Sequence, residues 1–183
     1  MPELFGLRPR DPEHAAARYE GLFNFVLRST SPSIYYFTDD AGLRTGPVPA
    51  GEIVRFVFLI NAAQDKTVSY TEDWTCNAFF LDAEPIERPV RPRHFQLVHE
   101  PHSDGVDFCD WAGTVIRYLS GFHLGAMLPA LDCHDLATVL ESVTRPRLKF
   151  SLITPVDELE VVSILSVVSD YRNVLALYYC PVG

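Results

Sequence analysis

Residues 52–62 are the most constraining part of this chain. In an extended backbone, Val54, Phe56, Phe58 and Ile60 fall on one side, and Ile53, Arg55, Val57 and Leu59 on the other. A strand with so little polar interruption has to be covered on both faces, which predicts a central strand. Asp39-Asp40-Ala41-Gly42 precedes it, and Gly46-Pro47-Val48-Pro49-Ala50-Gly51 leads into it; both read as loops.

Other segments follow the same extended pattern. Residues 34–38, 95–98, 148–154, 161–168 and 174–180 are aromatic or β-branched and bounded by turn residues, so each is predicted as a strand. Residues 67–81 are expected to hold one or two more, with Glu72-Asp73 at a turn. Pro85, Pro89 and Pro92 make 84–92 a rigid connection or an edge, because each proline removes a donor and fixes φ. Asp11-Pro12-Glu13 reads as a helix start, and 22–28 fits a helix or a strand, so a short helix or loop is expected to run into a hairpin. The clearest helix is 132–144, where Leu136, Val139, Leu140 and Val143 share one face and Pro146 follows. Residues 106–131 fit either a strand or a short helix around 115–119.

Seven or eight short strands with one or two helices predict a mostly β chain, an Ig-like β-sandwich with helical insertions. The alternative is an α+β sheet with helices on one face. With 183 residues, 48% of them hydrophobic, the chain is long enough for one core and too apolar for a disordered tail. A single globular domain over 1–183 is expected, with 1–20 as a peripheral segment.

Charge narrows the function classes. Fifteen Lys+Arg against 24 Asp+Glu give a formal net charge of −9, which argues against broad nucleic-acid binding. The charge is unevenly placed: 101–143 carries six acids and the single cation Arg117. Basic residues gather instead in two similar lead-ins to strands, Arg91-Pro92-Arg93 and Arg145-Pro146-Arg147. Side by side, these would form a basic patch. Arg91, Arg93, Arg145 and Arg147, with Trp111, are therefore the candidate interaction residues, because arginine and tryptophan are favoured at protein interfaces.

A second constellation is richer in chemistry. His99, His102, Cys109 and Cys133 are residue types that Zn²⁺ accepts, although their spacing matches no zinc module. Cys109 with His123 or His134 has the elements of a nucleophile and its base. Asp104, Asp107 and Asp110 read as a solvated acidic face more readily than as paired catalytic carboxylates. No Gly-x-Ser-x-Gly elbow and no glycine-rich phosphate loop occurs in the sequence. Four cysteines without a Cys-x-x-Cys pair, and no apolar leader at the start, predict reduced thiols in a cytoplasmic or nuclear protein that neither is secreted nor inserts into a membrane.

Gly51-Glu52-Ile53-Val54-Arg55-Phe56 resembles the start of the first long strand in Ig-like trafficking domains. Phe150-Ser151-Leu152-Ile153-Thr154-Pro155-Val156-Asp157 is similar to the strand that closes such a domain. Together they resemble the β-sandwich accessory subunits of the transport protein particle (TRAPP) tethering complex. That resemblance implies a non-catalytic domain that binds other subunits. The leading expectation is thus a non-enzymatic interaction module without a cofactor, engaging protein partners or forming a homo-oligomer. A zinc-binding or cysteine/histidine-dependent enzyme is the second reading, and a small viral or regulatory protein engaging host factors is the third.

Overall fold

The computed structural model describes residues 21–22, 24–38, 41–69, 76–100 and 105–123, and further along Leu136, Thr138, Leu140, Arg147, Leu148 and Phe150. Six strands form one mixed sheet: β1 (Ser33–Thr38), β2 (Gly42–Thr45), β3 (Val54–Ile60), β4 (Asn77–Asp82), β5 (His94–Val98) and β6 (Arg147–Leu148). Their spatial order is β2-β1-β3-β4-β5-β6. β1 pairs antiparallel with both β2 and β3. From β3 to β6 every pairing is parallel. One long helix, α1 (Phe108–His123), lies between β5 and β6 in sequence.

The chain is thus mostly β, and 52–62 does hold a central strand. Among the described residues there is one sheet, and three of its five strand pairings are parallel, whereas Ig-like sandwiches pair antiparallel strands. The expected hairpin also lies elsewhere: 25–30 is irregular, and β1 turns forward into β2, a four-residue strand to which the sequence reading assigned no element. β5 and the proline-rich connection before it match expectation. Residues 11–20, 70–75, 151–168 and 174–180, where a helix start and further strands were expected, lie outside the described residues.

Both faces of the sheet are buried, and by different chemistry. One carries a row of phenylalanines across four strands. Phe37 and Phe56 lie 6.3 Å apart between ring centroids, Phe56 and Phe79 6.0 Å, Phe58 and Phe79 5.7 Å, and Phe79 and Phe95 5.7 Å. These tilted and stacked contacts add to the apolar area the rings bury. α1 covers this row with Phe108, Ala112, Val115, Ile116 and Leu119, which recur at helical spacing. Leu136 and Leu140, helical with Thr138 as expected of 132–144, are buried in the same core. The opposite face packs Val57, Leu59, Ala78 and Phe80 under Val48, Ala62 and Val68.

One residue changes sides relative to simple alternation. Phe37 pairs with Phe56 but Thr38 pairs with Val54, so Arg55 is an extra residue in a β-bulge. Val54 consequently packs with Val57 and Leu59 rather than with Phe56.

The helix at 108–123 contains two glycines and the β-branched pair Val115-Ile116, which weaken its intrinsic propensity. Its first turn is well fixed nonetheless. The Asp110 amide donates to Asp107 Oδ1 at 2.9 Å, and the Trp111 amide donates to the Asp107 carbonyl at 3.0 Å, so Asp107 is the N-cap. Arg117 Nη1 donates to the Phe25 carbonyl at 2.9 Å and pins the irregular 25–27 segment to the helix.

At the carboxyl ends of the parallel strands a buried polar cluster joins four segments. Arg88, from the proline-rich connection, donates from Nη2 to Asp82 Oδ1 at 2.7 Å and from Nε to Oδ2 at 3.0 Å. Its Nη1 and Nη2 also donate to the carbonyls of Ala63 and Ala62 after β3, at 2.9 and 2.8 Å. Gln96 Nε2 in β5 donates to Asp82 Oδ2 and to the Ile86 carbonyl, both at 2.8 Å. The Arg88 guanidinium lies 4.3 Å from the centre of the Phe80 ring. Asn61, at φ 41°, completes the join by donating to the Thr30 carbonyl and accepting from the Ala83 amide.

Removing one member of a buried ion pair leaves the other charge uncompensated. Arg88→Met is expected to lower the unfolding free energy by about 3–5 kcal/mol, and the exposed control Arg91→Met by less than about 0.5 kcal/mol. Urea denaturation measures both. Equal losses would show that the Asp82–Arg88 pair does not hold the connection.

Candidate functional site

β5 and β6 are neighbours and parallel, with Gln96 opposite Arg147 and Leu97 opposite Leu148. The two arginine-rich lead-ins therefore run into adjacent strands from the same end of the sheet. Arg93 lies three positions before Gln96, so it sits roughly 10 Å along the strand direction from the level of Arg147. Arg91 and Arg147 are exposed, and neither makes an ion pair with a described residue. Arg145 lies outside the described residues.

The residues between them are held rigidly. Arg93 is half-buried at φ 58°, a left-handed conformation unusual for a residue other than glycine. Its carbonyl accepts from the Ala78 amide at 2.8 Å, which locks the turn onto β4. Strain of this kind persists only where the surroundings over-determine it.

His94 follows, and both ring nitrogens are engaged. The Val68 amide donates to Nε2 at 3.3 Å, so Nε2 is the acceptor. Nδ1 then carries the proton and donates to the Pro92 carbonyl at 2.8 Å. The ring stacks on Phe80 at 5.8 Å. Lys66, Arg88, Arg91 and His94 surround a crevice of about 10 Å³, with no carboxylate in its lining. This is room for about one water molecule.

The residues singled out for metal or nucleophile chemistry lie at the other end of β5. The His99 amide donates to the Asp82 carbonyl at 2.9 Å, which sets His99 beside the end of β4. Its ring packs against Trp111 at 5.3 Å and Phe108 at 6.0 Å, and Nε2 lies 3.1 Å from the Val106 carbonyl. Trp111 is thus half-buried in an aromatic cluster with His99, at the end of β5 opposite to the one that Arg91 and Arg93 precede. His102 and Cys133 lie outside the described residues, as does His134. Among the described residues, no three His, Cys, Asp or Glu side chains converge as metal ligands would.

Cys109 stands in the first turn of α1 as a free thiol, and Cys76 is a second, buried one. Burial pushes the Cys109 thiol above its ordinary value, and the carboxylates of Asp107 and Asp110 push it further in the same direction. A nucleophilic cysteine needs the opposite, a stabilised thiolate.

Sequence reasoning missed two parts of this region. Neither His94 nor Arg88 was singled out from the sequence. The signal for Arg88 was present: a buried-strand pattern ending in Asp82, followed six residues later by an arginine in a proline-braced segment.

The raised thiol gives a direct check. Alkylation of Cys109, followed by peptide mass spectrometry at pH 8, is expected to run slower than that of a free thiol. Asp110→Asn is expected to speed it by removing one of the repelling charges. An unchanged rate would show that these carboxylates do not set the local field.

No family model matches the chain, and no curated protein or solved structure is significantly similar to it.

Proposed function

We propose that this chain is a non-enzymatic protein-interaction module, a subunit of a larger intracellular assembly. Its contact surface is the basic end of β5 and β6, presented by Arg91, Arg93 and Arg147. The observation that carries this reading is the parallel pairing of β5 with β6, which brings Arg147 into the strand next to the one that Arg91 and Arg93 lead into.

Three features support it. Exposed arginines pair bidentately with carboxylates, so an acidic protein surface is the complementary partner. The turn that bears Arg93 is locked by a backbone hydrogen bond, which lowers the entropy lost on binding. The adjoining crevice is of about one water's volume, far below the roughly 300–1,000 Å³ of small-molecule sites, so it suits water bridging at an interface rather than substrate capture. The accessory-subunit role implied by the TRAPP resemblance, with its sandwich architecture, is the same proposal stated more narrowly.

Tagged protein expressed in the cells of its source is expected to co-purify with a stoichiometric protein partner. Arg91→Glu combined with Arg147→Glu is expected to lower recovery of that partner at least tenfold, with thermal stability unchanged. Raising the salt concentration should weaken recovery of the wild type in parallel. The same partner retained by the double variant would refute the basic end as the contact surface.

A further inference from the structure

We draw no further inference here: the strongest candidate, the crevice that Lys66, Arg88, Arg91 and His94 surround at the start of β5, belongs to the site already described, and the side chains of Arg88 and His94 are already engaged by hydrogen bonds within the fold.

Discussion

The ion pair between Asp82 and Arg88 is the constraint on which the rest of the arrangement depends. Taking both charges out of water is costly, and their attraction offsets that cost only with near-complete hydrogen bonding. Here the guanidinium grips both carboxylate oxygens and two carbonyls after β3, while Gln96 adds a further donor to Asp82. Four segments are thereby joined at the carboxyl ends of β3 and β4. The proline-rich connection, stiff but without helix or strand bonds of its own, is fastened to the sheet at Arg88. It can then deliver Arg91-Pro92-Arg93 to the start of β5 in one fixed geometry.

Much of the sheet was legible in the sequence because burial on both faces leaves a direct trace. Residues 52–62 and 95–98 had to be strands, and the prolines of 84–92 had to be a connection or an edge. What the sequence hid is tertiary in origin. β2 is a short edge strand whose Arg44 and Thr45 face solvent, so no apolar alternation marks it. α1 is helical despite its glycines and β-branched residues because packing of one face against the phenylalanine row outweighs weak propensity. Parallel pairing was equally invisible: strand patterns give faces but not directions, and a run of strands with turn-like separators reads as a sandwich.

The candidate site was legible in the same uneven way. Two arginine-rich lead-ins were visible as a repeated pattern, but their adjacency depends on β5 and β6 being neighbours and parallel, a relation between residues about fifty positions apart. Trp111 was grouped with those arginines on interface preference alone, and its ring instead joins His99 and Phe108. His99 and Cys109 were chosen as metal ligands by residue type. In the fold, the imidazole sits between aromatic rings and the thiol sits beside two carboxylates. Local composition identifies what a residue can do, while its neighbours decide which of those things it does.

Arginine-selective dicarbonyl footprinting of the assembled and dissociated protein, read by peptide mass spectrometry, tests most directly that the amino ends of β5 and β6 form the contact surface. Arg28 and Arg44 are exposed elsewhere on the fold and serve as internal references. Assembly is expected to shield Arg91 and Arg147 and to leave Arg28 and Arg44 reactive. Equal reactivity of Arg91 and Arg147 in both states, with shielding at Arg28 or Arg44, would place the contact surface elsewhere and contradict the account.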